Sequence, residues 1–282
     1  MKKDVVVLIG AGSIGVACAR RIATGKHLII GDINSKTAKK VEEDLYNAGF
    51  EASSVQVDLA SRESILNVVK EALKYGNIKN VLNAAGVSPS QASIKKILEV
   101  DLYGTAVLLE EFGKVIIEDG SCIVISSQSG HRLKALSQEE NELLALTPTD
   151  ELLNLEMLKE NKIKDTLHAY QLAKRCNVLR VASEAIKWGK RNARVNSISP
   201  GMIIPPLAND ELNGPRGENY KKMLALAPAK RAGTPDEVGD LCEFLMSSRG
   251  KFITGADFLI DGGASASYWY GDLQYMKNTM GS

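Results

Sequence analysis

VVVLIGAGSIG, residues 5–15, joins a short run of β-branched and other apolar residues to a G-x-G-x-x-G turn. An uninterrupted apolar run of this length is typical of a strand that is buried on both faces of a parallel sheet. Small and apolar residues at positions 17–19, 22 and 23 predict a helix directly after the turn. Glycine lets the backbone approach a pyrophosphate, to which the N–H groups of the helix N-terminus donate. We therefore expect a dinucleotide to be bound by Gly10, Gly12, Ser13, Ile14 and Gly15.

An acidic residue follows the second predicted strand. Asp32 comes directly after the strand at residues 28–31, about 20 residues after the first glycine of the turn. A carboxylate in this place binds the 2′-hydroxyl of an adenosine ribose and repels a 2′-phosphate, so the sequence predicts NAD rather than NADP. Lys36, Lys39 and Lys40 lie just downstream, and they either soften this preference or form a solvated helix face.

Strands and helices alternate along the rest of the chain. Predicted strands cover residues 54–57, 80–82, 122–126, 194–198 and 258–260, and predicted helices cover about 61–75, 94–117, 167–188 and 236–246. This alternation predicts an α/β, Rossmann-type doubly wound fold, in which helices cover both faces of a seven-stranded parallel sheet. Ligands bind beyond the carboxyl ends of the strands in such sheets. We therefore expect one crevice to collect the residues at those ends, namely Gly10, Asp32, Asp58, Asn83, Ser127 and Pro200.

Tyr170 and Lys174 lie one helical turn apart in the sequence YQLAK, residues 170–174. Residues four apart share a helix face, so the phenol and the ammonium can address the same site. A nearby cation favours the ionised phenolate, which prepares a tyrosine to exchange a proton with a substrate oxygen near neutral pH. The spacing alone is weak evidence, because a packed ring beside a solvated amine is the commoner arrangement.

The composition argues against several classes of protein. The chain has 282 residues and a formal net charge of +1, which gives no electrostatic reason to expect nucleic acid or an anionic membrane as a partner. No apolar run approaches the ~18 residues of a membrane helix, and the first strand begins too early for a signal peptide to precede it. The four cysteines fall within predicted elements, and the three histidines lack metal-ligand spacing. We expect a cytoplasmic protein with free thiols and no metal.

Several motifs together resemble the short-chain dehydrogenase/reductase family over nearly the whole chain. They are the glycine turn, Asp58, NAAG at residues 83–86, the Tyr-x-x-x-Lys pair, NSISPG at 196–201, RAGTP at 231–235, ITG at 253–255 and DGG at 261–263. The resemblance implies that Tyr170 is the catalytic acid/base and that Lys174 holds the nicotinamide ribose and favours the phenolate. It also implies that Ser127 hydrogen-bonds the substrate oxygen, with Ser126 and Ser129 as the alternatives.

The resemblance also implies contacts to the cofactor beyond the glycine turn. Asp58 meets the adenine, residues 83–86 line the adenosine side, and residues 201–203 pass beside the nicotinamide carboxamide. The expected contacts are Asp32, Ile33, Asp58, Leu59, Asn83, Ala84, Ala85, Gly86, Tyr170, Lys174, Pro200, Gly201 and Ile203.

The chain departs from the family pattern at four places. The glycine turn is one residue shorter than the usual form. Asp101 stands where the family has an asparagine that takes part in a proton relay, and it is either a further catalytic group or a plain helix carboxylate. Pro205 stands where a threonine that contacts the cofactor is expected. Residues 131–168 form an insertion between Ser127 and Tyr170.

The insertion is expected to contain a helix that begins at residues 147–150. Thr147 is its predicted cap, and Leu152, Leu155 and Leu158 lie on its apolar face. Such a helix is either a lid over the substrate or a surface helix that forms or blocks a subunit contact. Together with a carboxyl-terminal tail, the insertion resembles the 3α-hydroxysteroid dehydrogenase/carbonyl reductase subgroup. This resemblance implies a bulky apolar alcohol or ketone as the substrate.

We therefore expect one Rossmann-type domain over residues 1–265 and a tail over residues 266–282. The expected activity is the NAD-dependent interconversion of a small-molecule secondary alcohol and its ketone, in a homodimer or homotetramer. Two alternatives remain open. One is a dinucleotide-binding redox sensor without catalysis, and the other is a carbonyl reductase that prefers NADPH.

Overall fold

Seven parallel strands form one sheet in the order β3-β2-β1-β4-β5-β6-β7 in a computed structural model that describes residues 3–203 and 217–279. The strands are β1 (Lys3–Ile9), β2 (His27–Asp32), β3 (Glu51–Gln56), β4 (Gly76–Asn83), β5 (Ser121–Ile125), β6 (Arg194–Pro200) and β7 (Asp257–Ile260). This arrangement confirms the predicted doubly wound α/β fold.

Helices connect the strands, and further helices follow the last strand. The α-helices are α1 (Ser13–Ile22), α2 (Ser35–Asn47), α3 (Arg62–Tyr75), α4 (Ile94–Ile97), α5 (Thr105–Gly113), α6 (Gln128–His131), α7 (Gln138–Leu146), α8 (Thr166–Gly189), α9 (Gly217–Leu226), α10 (Pro235–Met246), α11 (Ala264–Tyr270) and α12 (Tyr275–Thr279). A π-helical segment covers Leu98–Gly104, and 3₁₀ turns cover Thr149–Asn154, Glu156–Leu158, Glu160–Lys162, Ser248–Gly250 and Asp272–Gln274. Within the described ranges, no helix combines the length and apolarity that crossing a membrane requires.

The first strand contributes to two hydrophobic cores, one on each face of the sheet. Val5 and Val7 pack with residues of α3, α5 and α8 on one face. Val6 and Leu8 pack with residues of α1, α2 and α10 on the other face. Successive side chains of a strand point to opposite faces. The uninterrupted apolar run at residues 5–9 therefore follows from burial of both faces.

The chain reverses its direction of travel across the sheet at β1. This strand pairs in parallel with β2 on one side and with β4 on the other. Strands β2 and β3 follow β1 toward one edge of the sheet. The next strand, β4, lies on the opposite side of β1. A crevice opens at the carboxyl ends of the strands at such a reversal. The turns after β1 and β4 face each other across this point.

The predicted helix over residues 94–117 is wrong at its carboxyl end. The helical segment ends at Gly113, and the amide of Ile117 donates to the carbonyl of Ile78 in β4. Ile116 is fully buried in the core beneath α5. Because the helix ends at Gly113, Ile116 can pack in the core and the amide of Ile117 can hydrogen-bond to β4.

The predicted helix in the insertion is also wrong. Thr147 follows the end of α7 instead of starting a helix, and residues 149–162 form three 3₁₀ turns. The leucines at 152, 155 and 158 are three apart, which matches the period of about three residues per turn in a 3₁₀-helix. The α-helix of the insertion starts earlier, at a capping box between Ser137 and Glu140, and this Ser-x-x-Glu signal was present in the sequence.

The insertion packs along α8. Leu144 of α7 is fully buried, and its carbonyl accepts a hydrogen bond from Nε of Arg180 at 2.8 Å. The guanidinium of Arg175 donates to Oδ1 of Asn141 at 3.0 Å. In the middle of the insertion, Asp150 pairs with Arg62 of α3 at 3.0 Å. These contacts hold the insertion against the outer side of α8 and against α3.

We predict that Leu144→Ala lowers the free energy of unfolding by about 2–5 kcal/mol, because it removes a fully buried side chain between α7 and α8. Leu143→Ala is the matched control, since Leu143 is the adjacent residue of the same helix and is 41% exposed; it should change stability by no more than about 0.5 kcal/mol. Urea unfolding measures both. Equal losses in the two variants would contradict the packing of α7 on α8.

Candidate active site

One crevice crosses the carboxyl ends of β1 and β4. It consists of two neighbouring cavities of about 310 and 300 Å³, which share the wall formed by residues 84–87. Ser127, Tyr170 and Lys174 line the first cavity, while Asp32 and Asp58 line the second. The reversal of the chain at β1 therefore joins a cavity lined by a hydroxyl, a phenol and an ammonium to an acidic pocket.

Most of the residues singled out in the sequence line this crevice. They are Gly10, Gly12, Ile14, Asp32, Ile33, Asp58, Leu59, Ala84, Ala85, Gly86, Ser127, Tyr170, Lys174, Pro200, Gly201 and Ile203. Ser13, Gly15, Asn83 and Asp101 are not part of its lining. Asn83 is buried behind it and donates to the hydroxyl of Thr105 at 3.2 Å, so its side chain joins β4 to α5. Pro205 lies outside the described residues.

The glycine turn fits tightly against the turn after β4. Gly10 has φ +95°, a left-handed conformation that favours glycine. A Cβ at this position would lie 2.4 Å from the amide nitrogen of Ala85. A Cβ at Gly12 would meet no atom within 4 Å, so the space in front of the N-terminus of α1 is open. The glycine turn is therefore in close backbone contact with the β4 turn at Gly10. At Gly12, beside the N-terminus of α1, it leaves room for an anionic group.

Asp32 is held at the carboxyl end of β2 by two backbone amides. One carboxylate oxygen accepts from the amide of Ala11 and the other from the amide of Asn34, both at 2.9 Å. These bonds fix the carboxylate beside the glycine turn. Asp58 lies further along the same cavity, and the ammonium of Lys96 is 3.7 Å from it. Lys96 is not among the residues predicted from the sequence, because one lysine among several in a helix carries no distinctive signal.

Tyr170 and Lys174 face the crevice from α8. The Nζ atom of Lys174 lies 5.3 Å from the centroid of the Tyr170 ring. Lys174 is only 4% exposed, whereas the ring of Tyr170 is half-buried. The pair therefore differs from the commoner arrangement of a packed ring beside a solvated amine.

The three candidate serines have different surroundings. Ser126 donates its hydroxyl hydrogen to the carbonyl of Lys174 at 2.9 Å, which ties β5 to α8. Ser127 caps α6 by accepting from the amide of Ser129 at 3.1 Å, and within the described chain its hydroxyl hydrogen has no acceptor. Ser129 does not line the crevice. Ser127 is therefore the serine best placed to donate to a ligand in the crevice.

A buried carboxylate lies behind Lys174. Oδ2 of Asp101 is 3.7 Å from Nζ of Lys174, and Oδ1 accepts from the amide of Val87 at 2.9 Å. Burial raises the pKa of Asp101, although Lys174 and the Val87 amide act in the opposite direction. Burial alone would lower the pKa of Lys174, but the negative charge of Asp101, with a contribution from Tyr170, raises it. The ammonium form of Lys174 is therefore favoured even in a buried position.

The insertion takes no part in the lining of the crevice. Its residues, 131–168, are absent from both cavities among the residues that the structure describes. They contact the crevice indirectly, through the packing of α7 on α8. The arrangement therefore supports the surface-element interpretation of the insertion rather than the lid.

Two family models match the chain in succession. One is described as short chain dehydrogenase and matches residues 3–137, and the other is described as Enoyl-(Acyl carrier protein) reductase and matches residues 133–265. Short-chain dehydrogenase/reductase bsc3 of Alternaria brassicicola is 36% identical over 267 residues, which cover 94% of this chain and 97% of that protein. The 3-alpha-hydroxysteroid dehydrogenase/carbonyl reductase of Comamonas testosteroni is 27% identical over 269 residues, covering 93% and 97%.

A solved structure has the same fold. A short-chain dehydrogenase/reductase from Serratia marcescens superposes with a TM-score of 0.72 at 22% identity. The match covers 93% of this chain and 98% of that one.

We predict that Gly10→Ala destabilises the protein by at least about 2 kcal/mol, because the new Cβ is forced against the backbone of the β4 turn and the left-handed conformation is unfavourable for alanine. Gly12→Ala should change the free energy of unfolding by less than about 1 kcal/mol, since its Cβ enters open space. Chemical denaturation of both variants measures this. Similar stabilities for the two would contradict the close contact between the turns.

Proposed function

This chain belongs to the short-chain dehydrogenase/reductase family, and on that basis we propose that it interconverts a secondary alcohol and a ketone with NAD as its cofactor. The observation that carries the proposal is the lining of one cavity by Ser127, Tyr170 and Lys174. That cavity continues directly into the pocket of the glycine turn and Asp32. A crevice of this form accommodates a dinucleotide with its redox-active end beside an acid/base pair.

The residues along the crevice fit the parts of a nicotinamide dinucleotide in order. Asp32 and Asp58 suit an adenosine, because carboxylates accept from ribose hydroxyls and from an exocyclic amine. The glycine turn at the N-terminus of α1 suits the pyrophosphate. Lys174 suits the second ribose, and residues 200–203 suit the carboxamide beyond it. Bound NAD supplies the acceptor or donor of a hydride.

The preference for NAD follows from the charge and rigidity of Asp32. Two backbone amides hold its carboxylate in place, so it cannot swing away from a 2′-phosphate without breaking two hydrogen bonds. Lys96 is the cation among the described residues of that pocket, and its ammonium faces Asp58. The balance of charge at the adenosine end therefore favours an unphosphorylated ribose.

The acid/base chemistry is assigned to three side chains. Ser127 donates a hydrogen bond to the substrate oxygen and so holds that oxygen close to Tyr170. Tyr170 accepts the hydroxyl proton when the alcohol is oxidised and returns a proton to the oxygen when the ketone is reduced. Lys174 stabilises the phenolate, which accepts the proton in oxidation and is left behind when the proton is donated in reduction. Each role requires a group that lines the first cavity, as these three do.

The substrate that we favour is a bulky apolar alcohol or ketone, such as a hydroxysteroid or another cyclic carbonyl. Val87, Ile125 and Ile203 give the first cavity an apolar wall beside the polar catalytic groups. The similarity to the Comamonas testosteroni protein supports the same class. A redox sensor without chemistry has no need for Ser127, Tyr170 and Lys174 to lie together, so their proximity speaks against this alternative.

We predict that Tyr170→Phe lowers kcat for the reduction of cyclic ketones with NADH by at least about 10³-fold, because the proton donor is lost. Binding of NADH, measured by fluorescence, should stay within about twofold of the wild type, because the ring is retained. Tyr46→Phe is the control, because it removes a tyrosine hydroxyl away from the crevice. Tyr46 lies on α2 and is 71% exposed. A wild-type protein that binds NADH but reduces no carbonyl in a broad panel would instead support the redox sensor.

We predict that kcat/KM for NADH exceeds that for NADPH by at least about tenfold in the wild type, because Asp32 repels the 2′-phosphate. Asp32→Asn should narrow this ratio, since it keeps the shape of the side chain and removes its charge. Asp272→Asn, at an exposed residue of the 3₁₀ turn after α11, should leave the ratio unchanged. Equal or better use of NADPH by the wild type would contradict the assignment of Asp32.

A further inference from the structure

The insertion forms a cavity of its own together with α6, α8 and α11. This insertion cavity has a volume of about 320 Å³, and its lining combines residues 130–131 and 133–136 with Asn141, Arg175 and Trp269. Within the described ranges, it shares no lining residue with either cavity of the crevice. Pockets for small molecules start at about 300 Å³, so the insertion cavity is large enough to hold one.

Two cations line the insertion cavity, and no carboxylate of the described residues does. Lys134 is exposed and, like Arg175, pairs with no carboxylate in the part of the chain that the structure describes. Arg175 donates from Nε and Nη2 to Oδ1 of Asn141, at 3.3 and 3.0 Å. An amide oxygen carries no net charge, so this contact holds the guanidinium in place without neutralising it. The wall therefore presents one fixed positive charge and a second one on an exposed side chain.

Carboxylates near the insertion cavity bind other groups. Oδ2 of Asp257 is 2.7 Å from Nε2 of His131, and its Oδ1 accepts from the hydroxyl of Ser197 at 2.6 Å. Glu140 of α7 accepts from the amide of Ser137 in the capping box. Asp257 thus fixes the His131 side of the wall, and the positive charge of Arg175 is left for a ligand to compensate.

The rest of the insertion cavity is apolar. Leu133 is buried and Leu136 is half-buried, and both pack in the core between the insertion and α8. The indole N–H of Trp269 donates to the carbonyl of His131 at 2.9 Å, so the hydrogen-bonding group of this side chain is already used. The insertion cavity therefore combines a cationic part with an apolar part.

We propose that the insertion cavity binds a small organic anion. Its carboxylate or phosphate group contacts Arg175 and Lys134, and its apolar body packs against Trp269 and Leu136. The planar guanidinium suits both oxyanions, because its N–H groups can donate in parallel to two oxygens. This inference goes beyond the proposed function, since neither the dinucleotide nor the carbonyl substrate takes part in it.

The proposed ligand lies against the two helices that carry the proposed catalytic groups. A Cβ at Gly130 would lie 2.9 Å from the amide nitrogen of Arg175, so α6 and α8 are in direct contact beside the insertion cavity. Ser127 caps α6, and Lys174 directly precedes Arg175 on α8. A bound anion therefore contacts both helices without contacting the lining of the crevice.

¹⁹F NMR of 4-fluorobenzoate tests the proposal, because this probe joins a carboxylate to an aromatic ring. Its signal should broaden and shift saturably on titration with the wild-type protein. The neutral 4-fluorobenzamide should bind at least about tenfold more weakly, because it lacks the charge. Acetate lacks the ring and should displace the probe at least about tenfold less well than benzoate does.

Competition with phenyl phosphate distinguishes a phosphate ester from a carboxylate as the preferred anion. Stronger or weaker competition than by benzoate upholds the proposal in either case, since both ligands carry an oxyanion on an apolar body.

Variants of the two cations locate the probe. Lys134→Glu places a negative charge in the wall and should raise the Kd of the probe at least about tenfold. This variant should fold as the wild type does, because Lys134 makes no hydrogen bond or ion pair to a described residue. Arg175→Gln should raise the Kd by a similar factor, and Arg175→Lys by less, because it keeps the charge but loses the planar fork.

Lys190→Glu is the matched control for the change in charge. Lys190 is exposed at the carboxyl end of α8, roughly four turns beyond Arg175, so its charge is screened from the insertion cavity. The Kd of the probe should stay within about twofold of the wild-type value.

Saturating NADH and Tyr170→Phe separate the insertion cavity from the crevice. Each should leave the Kd of the probe within about twofold of the wild-type value, because the two sites share no lining residue. Displacement of the probe by NADH, an unchanged Kd in Lys134→Glu, or equal binding of 4-fluorobenzamide would overturn the proposal. If Arg175→Gln does not fold, Lys134→Glu still decides. Binding that Lys134→Glu weakens, in a protein that turns over no carbonyl, would uphold the insertion cavity while refuting the proposed function.

Discussion

The pairing of β1 with β4 is the constraint on which the rest of the molecule depends. It places the turn after Ile9 directly against the turn after Asn83, where the amide of Ala84 donates to the carbonyl of Ile9 at 2.7 Å. Only glycine fits at position 10, because the backbone of Ala85 occupies the space of a side chain. The crevice is therefore a consequence of sheet topology, and its two cavities share one wall because two turns meet there.

Helix α8 brings the proposed catalytic side chains to this crevice. Its inner side carries Tyr170 and Lys174, and the hydroxyl of Ser126 fixes it to the end of β5 through the Lys174 carbonyl. Its outer side is covered by the insertion, in which Leu144 is fully buried. A helix that is supported on both sides holds catalytic side chains more firmly than a loop would. The insertion thus supports the helix that carries Tyr170 and Lys174, and its residues do not line the crevice in the described part of the chain.

The parts of the structure that rest on local rules were predictable from the sequence. The buried strand at residues 5–9, the cap at Ser61 and the capping box at Thr234 follow from patterns of a few residues. The α-helix predicted in the insertion is wrong, because leucines spaced by three suit both an amphipathic helix and a series of 3₁₀ turns, and tertiary packing decides between them. The contact between Asp101 and Lys174 joins residues that are far apart in sequence, so no local pattern reveals it.

A crystal structure of the protein with NADH and an unreactive ketone analogue tests the central claim most directly. The account predicts that the hydroxyl of Tyr170 lies about 2.6–3.2 Å from the carbonyl oxygen of the analogue, with the nicotinamide ring against the same cavity wall. It also predicts that Lys174 contacts the adjoining ribose. A phenol that points into solvent or into the protein interior, out of reach of both the analogue and the nicotinamide, would contradict the assignment of this chain as a redox catalyst.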